Sequence, residues 1–190
     1  MDEPTPDRPM RADARRNRER LLTCAREVFG TDGIDAPLDE IARRAGVGPG
    51  TLYRHFPNRD TLIEAVYRSS IETLAGLAAE FEADSDTPGQ AVRRWLTEVS
   101  NFYLHQRSLA LALKAAIDPT SETFTLCRKL LVEAGGSLMN RAVAAGEIRD
   151  DLEPLDLLRL ANGIGASCEH SPESADRLRS VMFEGLRVPA

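Results

Sequence analysis

Apolar residues recur every three or four positions through most of the chain, and this spacing constrains the fold more than any other feature. Near the start, Leu21/Leu22, Ala25 and Val28/Phe29 follow it, which is the pattern of an amphipathic helix. No run alternates apolar and polar residues with enrichment in β-branched side chains, as a strand would. The sequence therefore predicts an all-α protein of about nine helices.

Several classes of protein are excluded by what the sequence lacks. No apolar run approaches the roughly 20 residues that span a bilayer, and residues 1–11 hold three prolines and no apolar stretch, unlike a secretory signal. The three cysteines, Cys24, Cys127 and Cys168, are far apart and form no Cys-x-x-Cys pair, so neither a disulfide framework nor a zinc site is indicated. His105 and His170 have no partner at a ligand spacing. We expect a soluble cytoplasmic protein with no metal, no cofactor and no membrane association.

Glycines, prolines and polar breaks divide the chain into a tail and two helical domains. Residues 1–10 are rich in proline and charge, so we expect a flexible tail. Residues 11–58 hold three predicted helices, the second of which we expect to begin with Pro37. Residues 59–190 hold the remaining helices as a bundle, and a long fourth helix joins the two domains.

Residues 38–56, which read LDEIARRAGVGPGTLYRHF, contain the most informative motif. Two short segments, each apolar on one side, are joined by a turn at Gly46, where glycine allows a positive φ. Ala42, Val47 and Leu52 lie where the two helices must pack closely. This arrangement predicts a helix-turn-helix, a DNA-binding motif.

The second helix of the motif exposes residues suited to a nucleic acid. Its N-terminal N–H groups and dipole favour a phosphate, and Gly48 and Gly50 allow close approach of a duplex. Tyr53 lies off the buried face, whereas Phe56 is in register with Leu52. The candidate DNA contacts on this helix are Pro49, Gly50, Thr51, Tyr53, Arg54 and His55, of which Arg54 has the fork that pairs with guanine or phosphate.

Charge is distributed unevenly along the chain. Residues 8–68 hold 12 arginines against 9 acidic residues, a net charge of +3, whereas residues 71–190 hold 12 basic and 18 acidic residues, a net charge of −6. A locally basic segment on an acidic body is still able to release counterions from DNA. The acidic remainder is explained equally well by a cationic ligand or by a solvated acidic surface.

The block of residues 14–67 resembles the DNA-binding domain of the TetR family of transcriptional regulators. The matching features occur in the family's order: Phe29-Gly30 ends the first helix, Ile41-Ala42 and Ala45-Gly46-Val47 follow, and then come Thr51-Leu52-Tyr53, Phe56, Asn58-Arg59 and Leu62. The resemblance covers about the first third of the chain. The rest matches only in being helical and of suitable length.

The resemblance implies that the helix carrying Thr51 and Tyr53 enters the major groove, and that Tyr53, His55 and Arg59 hold phosphates. For His55, a solvated surface position is an equal alternative. The sequence departs from the family at Pro37, where a capping Ser or Thr is usual, and at Gly48-Pro49, where a polar pair is usual. The phosphate contacts are therefore better supported than any base contact.

For the C-terminal domain the resemblance implies an effector pocket and a homodimer. The candidate pocket residues are Trp95, Phe102, Tyr103, Cys127 and Met139. The last two helices of each subunit would form a four-helix bundle through apolar stripes on 154–168 and 173–186. The stripe residues are Leu157, Leu158, Ala161, Ile164, Leu178, Val181 and Met182. Two recognition helices would then read a pseudo-palindromic operator, and an unknown small-molecule effector would move them apart and release the DNA.

Two alternatives remain at this stage. One is an activator or nucleoid-type DNA-binding protein without a small-molecule ligand, against which a cavity in the C-terminal domain would count. The other is a helical enzyme, although the sequence contains no nucleophile elbow, phosphate-binding loop or His-Glu-x-x-His motif. Gly163 and Gly165 follow no strand, so we interpret them as sites of close helix packing.

Overall fold

The computed structural model describes residues 7–118, 121–168 and 170–188, and within these ranges helices are the only regular secondary structure. The nine helices of the described residues are α1 (Asp7–Thr31), α2 (Leu38–Arg44), α3 (Pro49–His55), α4 (Arg59–Ala83), α5 (Pro88–His105), α6 (Arg107–Ala116), α7 (Glu122–Ala144), α8 (Pro154–Ser167) and α9 (Pro172–Gly185). The all-α prediction is confirmed. Of the predicted tail, residues 1–6 lie outside the described residues, and the prediction is wrong for residues 7–10, which belong to α1.

Helices α1, α2 and α3 form a small unit around one apolar core. Leu21 on α1, Ile41 on α2 and Leu52 on α3 are all fully buried in it. Gly46 ends α2 with φ +66°, and the following Val47 N–H donates to the Ala42 carbonyl at 3.0 Å. These contacts fix the angle between α2 and α3, as the predicted helix-turn-helix requires.

The prolines at the starts of α2 and α3 play different parts. Pro49 is the first residue of α3 and follows Gly48, which is in an extended conformation. Pro37 precedes α2 as its N-cap, so the prediction that it begins the helix is wrong by one residue. Its ψ of 131° is extended rather than helical, and its carbonyl accepts the first bonds of α2 instead.

Helix α4 connects the small unit to the rest of the molecule. Asn58 caps it: the Asn58 side chain accepts from the Thr61 N–H at 2.9 Å, and Thr61 accepts in return from the Asn58 N–H. On α1, Arg26 donates from Nε to the Ser70 hydroxyl at 3.0 Å and from Nη2 to the Ser69 hydroxyl at 3.2 Å. Because α4 also packs against α5, α6 and α7, it touches both parts of the chain.

Helices α4, α5, α7 and α8 pack around a second apolar region, continuous with the first. Trp95 on α5 is almost fully buried, and its indole N–H donates to the Leu74 carbonyl at 2.7 Å. Helix α5 approaches α8 so closely that a Cβ on Gly165 would clash with the Ser100 carbonyl and lie 2.8 Å from Tyr103 Cβ. Close packing therefore explains Gly165, whereas a Cβ on Gly163 would meet nothing within 4 Å.

The apolar stripes of α8 and α9 are mostly covered within one chain. Leu157, Leu158, Ala161 and Met182 are buried in the chain's own core, and Ile164 packs against it. The prediction that they form an interface was wrong for the four buried residues, because they pack within one chain; Ile164 is only half-buried, and its part in an interface stays a prediction. Of the predicted interface residues, only Leu178 and Val181 are exposed, and they are joined by Leu160 on α8.

Candidate nucleic-acid interface and ligand cavity

Helix α3 has one buried and one exposed face. Leu52 and Phe56 are buried, whereas Tyr53 is 46% exposed. Pro49, Gly50 and Arg54 are also exposed, and Thr51 and His55 are half-buried. Six of the seven predicted DNA-contact residues thus lie together on this helix. Because Gly48 and Gly50 carry no side chain, the start of α3 is open to a close-fitting partner.

Two of the predicted contact arginines have partners inside the protein. Arg54 folds back along α3, where its Nε donates to the Gly50 carbonyl at 3.2 Å and its Nη2 to the Thr51 hydroxyl at 3.0 Å. Arg59 donates from Nη1 to the carbonyls of Ile34 and Ala36, at 2.6 and 2.8 Å. Arg59 therefore holds the loop between α1 and α2, a role that its sequence position did not reveal.

Helix α2 contributes less positive charge to this surface than its sequence suggests. Arg43 and Arg44 both hydrogen-bond to Glu40, which lowers the pKa of that carboxyl to about 2. Arg44 also pairs with Asp32 at 2.8 Å. On α1, the guanidinium of Arg18 lies over the Phe56 ring, 5.5 Å from its centroid, so this cation lies beside the end of α3 although the sequence analysis did not select it.

A cavity of about 260 Å³ lies among α4, α5, α6, α7 and α8. We call it the α4–α8 cavity, and it is lined by Tyr67, Tyr103, Lys114, Phe124, Cys127, Arg128, Leu131, Leu155, Leu158, Arg159 and Asn162. Every one of the five helices contributes at least one side chain, so a molecule bound there would touch all of them.

The predicted pocket residues divide into two groups. Tyr103 and Cys127 line the α4–α8 cavity, and Phe102 packs beside it with its ring centroid 5.8 Å from that of Tyr67. Trp95 and Met139 do not line it. Trp95 fills the contact with Gly135, where a Cβ would lie 2.7 Å from the indole ring, and Met139 is buried in the core; for these two, the pocket prediction was wrong.

Burial makes the tyrosine hydroxyls and the cysteine thiol of the cavity harder to ionise. Desolvation raises the pKa of Tyr67 far above its usual range, and a hydrogen bond to Tyr103 raises it further. Burial also raises the pKa of Tyr103, and it raises that of the Cys127 thiol to about 11. The inner wall therefore offers two hydroxyls and a thiol rather than anions.

A larger depression, of about 460 Å³, lies between the start of α5 and the end of α9. Most of its charged side chains already have partners: Glu147 accepts from the Thr87 hydroxyl at 2.7 Å and from the Gly89 N–H at 3.1 Å, and Arg187 pairs with Glu184 at 3.3 Å. Because these groups bind one another, we regard the smaller α4–α8 cavity as the candidate ligand site.

The described residues lack two kinds of site. They contain no group of three or more His, Cys, Asp or Glu residues arranged to hold a metal ion. They also contain no helix that is long and apolar enough to cross a membrane.

Comparison with known families gives two matches that together cover most of the chain. A model described as the C-terminal domain of SbtR-like transcriptional regulators matches residues 87–188. A model described as bacterial regulatory proteins of the tetR family matches residues 21–66. The second range includes α2, α3 and the start of α4.

Solved structures and curated relatives agree with these matches. A TetR transcriptional regulator from Streptomyces coelicolor is 36% identical, with 91% of this chain and 99% of that one covered and a TM-score of 0.80. A TetR regulator from Mycobacterium vanbaalenii is 30% identical, with 95% and 100% covered and a TM-score of 0.75. An HTH-type transcriptional regulator of Staphylococcus aureus (strain USA300) is 26% identical over 107 residues, 56% of this chain and 58% of the relative. The chain therefore matches somewhat more than half the length of that curated relative.

Proposed function

Because the chain belongs to the TetR family of bacterial transcriptional regulators, we propose that it is a repressor controlled by a small-molecule effector. In this proposal a homodimer binds a pseudo-palindromic operator in the cytoplasm, and the effector releases it. Regulators of this family are transcription factors and not enzymes. Residues 11–58 serve as the DNA-binding domain and residues 59–190 as the effector-binding and dimerisation domain, joined by α4.

The observation that carries the DNA-binding part is the exposed face of α3. Tyr53 is strongly exposed for an aromatic side chain, and the glycines at the start of α3 leave room beside it. Contact with the major groove of a duplex would explain this exposure. Tyr53 and His55 would hold phosphates, and Pro49, Gly50 and Thr51 would lie near the bases. Arg54 would have to leave its contacts with Gly50 and Thr51 to reach DNA.

The α4–α8 cavity supports the effector part and counts against a ligand-independent activator. Helix α4 lines the cavity with Tyr67 and, one turn later, accepts the hydrogen bond of Arg26 from α1 through Ser70. A shift of α4 would therefore reach the DNA-binding helices directly. The fold is shared by RolR, whose structure holds resorcinol, at 18% identity and a TM-score of 0.59; that likeness concerns the fold alone.

The coupling must follow the rules of linkage. An effector is able to release the repressor only by binding its DNA-free conformation more tightly than its DNA-bound one. By the same rule, operator DNA must weaken effector binding by the same factor. Equal affinity for the effector with and without operator would contradict effector-controlled repression.

The test uses the full chain and the DNA upstream of its own gene. Fluorescence anisotropy with a labelled fragment should give saturable binding, with a stoichiometry of one dimer per site and footprints on two half-sites about one helical turn apart. A scrambled fragment of equal length and composition is the control. Equal affinity for both fragments at physiological salt would contradict a sequence-specific repressor.

A further inference from the structure

We infer that the α4–α8 cavity takes a small organic acid, a molecule with one anionic group on an apolar body. This inference rests on the proposed function, because it names the class of effector that the cavity would bind. The charged residues that line the cavity are Lys114, Arg128 and Arg159, and no Asp or Glu is among its lining residues.

The positive charge of these residues is only partly neutralised within the protein. Arg159 pairs with Asp156 at 3.1 Å, but among the described residues Lys114 and Arg128 form no ion pair. Two carboxylates, Glu64 and Glu72, act electrostatically on the cavity residue Cys127. Each has another partner, since Glu64 accepts from the Thr123 hydroxyl and Glu72 pairs with Arg68 at 3.0 Å. An anion in the cavity would gain two uncommitted cations, whereas a cation would be repelled by them.

The polarity of the cavity also orients the ligand. Lys114, Arg128 and Arg159 are exposed and so lie at its mouth, while Leu131 and Leu158 are buried at its floor. The apolar body of the ligand would lie on this floor, and its acidic group would face the mouth. At the mouth, the acidic group of the ligand would contact one cationic side chain from each of α6, α7 and α8.

The remaining polar groups and the volume narrow the class of ligand further. The hydroxyls of Tyr67 and Tyr103 stay protonated and share one hydrogen bond, which leaves one hydroxyl proton and the Asn162 amide to donate to a carbonyl or hydroxyl of the ligand. A volume of about 260 Å³ is near the lower end of the roughly 300–1,000 Å³ common for ligand pockets. The cavity therefore suits one ring or a short chain. It does not suit the cationic ligand that the acidic excess of the C-terminal domain had left open.

The experiment compares matched probes that differ only in charge. Calorimetric titration of the full-length protein uses phenylacetate and phenyl phosphate as acids, phenylacetamide as the uncharged partner and phenethylamine as the cation. The expected result is binding of at least one acid in the micromolar to millimolar range, with the amide about tenfold weaker or more and no binding of the amine. Inorganic phosphate should not compete, because it lacks the apolar body.

Charge variants assign the acid to this cavity. Arg128→Gln and Lys114→Gln should each weaken acid binding by about five- to tenfold while leaving amide binding unchanged. Lys129→Gln is the matched control, since Lys129 is the next residue on α7 after Arg128, is also exposed, and pairs with Glu133 rather than lining the cavity. All three positions are on the surface, so none of the changes should disturb the fold.

Several outcomes would overturn the inference. These are equal affinity for the acid and the amide, no acid binding at millimolar concentration, displacement by inorganic phosphate, or losses in the Arg128 and Lys114 variants no larger than in Lys129→Gln. None of them affects binding to the operator fragment. Conversely, a failure to bind that fragment would contradict the proposed repressor without changing the affinity for the acid, so the two failures are distinguishable.

Discussion

Tyr53 is 46% exposed, although it lies between the buried Leu52 and the nearby buried Phe56. We expect Tyr53→Ala to weaken operator binding by about 10- to 100-fold, because a major-groove or phosphate contact is lost. Stability should stay within about 0.5 kcal/mol of the wild type, as for most surface substitutions. Anisotropy with the operator fragment and thermal melting measure the two effects.

Phe56→Ala, at the residue that caps the C-terminus of the same helix, is the contrasting variant. It removes a buried ring, so we expect a loss of about 3–5 kcal/mol in the free energy of unfolding. If Tyr53→Ala were to destabilise the protein to a similar extent, Tyr53 would have a packing role. The recognition-surface interpretation of α3 would then be wrong.

Cys127 gives the protein a sensitivity to alkaline pH. Its pKa is raised from 9.0 to about 11 by burial, so the folded state holds the thiol proton more tightly than the unfolded state does. This stabilisation is complete below pH 9 and is lost as the pH rises towards about 11, by about 2 kcal/mol. Burial of Tyr67 acts in the same direction at still higher pH.

Urea unfolding across this range measures the loss at Cys127. The variant Cys127→Ala should show a shallower fall in stability above pH 9 than the wild type, whatever its stability at neutral pH. Parallel pH curves for the two proteins would show that Cys127 ionises at an ordinary pKa. The same shift predicts slow alkylation of this thiol at neutral pH, since only the thiolate reacts.

Single residues differ in how far the sequence determines their roles. The exposed position of Tyr53 follows from its register relative to Leu52, because both lie in one short helix. The role of Arg59 cannot be read from the sequence in this way, because the carbonyls of Ile34 and Ala36 that it binds belong to a loop more than 20 residues away in the chain. Trp95 was placed in the pocket because aromatic core residues and pocket residues share the same apolar period.

Gly163 and Gly165 lie two positions apart on α8 and should respond oppositely to alanine. A Cβ on Gly165 would clash with the backbone of α5 at the Ser100 carbonyl and lie 3.0 Å from the Leu104 nitrogen. Because neither backbone atom is free to move away, we expect Gly165→Ala to cost at least about 2 kcal/mol. Gly163→Ala has open space and should gain about 0.5–1 kcal/mol, since alanine favours a helix.

Chemical denaturation of the two variants and the wild type tests this pair, with acid-probe binding as a second measurement. Gly165→Ala should also alter ligand binding, because Tyr103 lies 2.8 Å from the added Cβ and lines the α4–α8 cavity. Equal stability of both variants would mean that α5 and α8 separate easily. The close helix contact would then not be a fixed part of the fold.

Helices themselves were the most predictable level of structure. The three-to-four-residue period and the capping residue Asn58 predict the existence and type of α4, because both signals are local. Boundaries were less certain, since α1 begins at Asp7 and Pro37 precedes α2. A tail rich in charge and proline and the first turn of a helix have similar compositions, so residues 7–10 were not distinguishable from residues 1–6 by sequence.

At the scale of the whole molecule, the sequence revealed which residues are apolar but not which neighbour covers them. Tyr103 and Cys127 reach the α4–α8 cavity, whereas Met139, on the same helix as Cys127, faces the core. The same limit applies to the dimer prediction, where Leu157 and Ala161 turned inwards. Which residues become buried depends on how five helices pack against one another. The local apolar pattern of one helix does not determine that packing.

Three large apolar side chains on α8 and α9 remain uncovered in the single chain: Leu160, Leu178 and Val181, the last 69% exposed. Exposed apolar residues on two helices that pack against each other indicate an interface, and pairing of α8 and α9 with those of a second copy would bury them isologously. We therefore expect Leu178→Glu with Val181→Glu to produce a monomer by sedimentation. Operator affinity should fall together with dimerisation, because two half-sites require two joined recognition helices. Leu111→Glu is the control, as Leu111 is equally exposed but lies on α6. A charged double variant that stays dimeric, or a monomer that binds the two-half-site operator as tightly as the wild type does, would contradict this assembly.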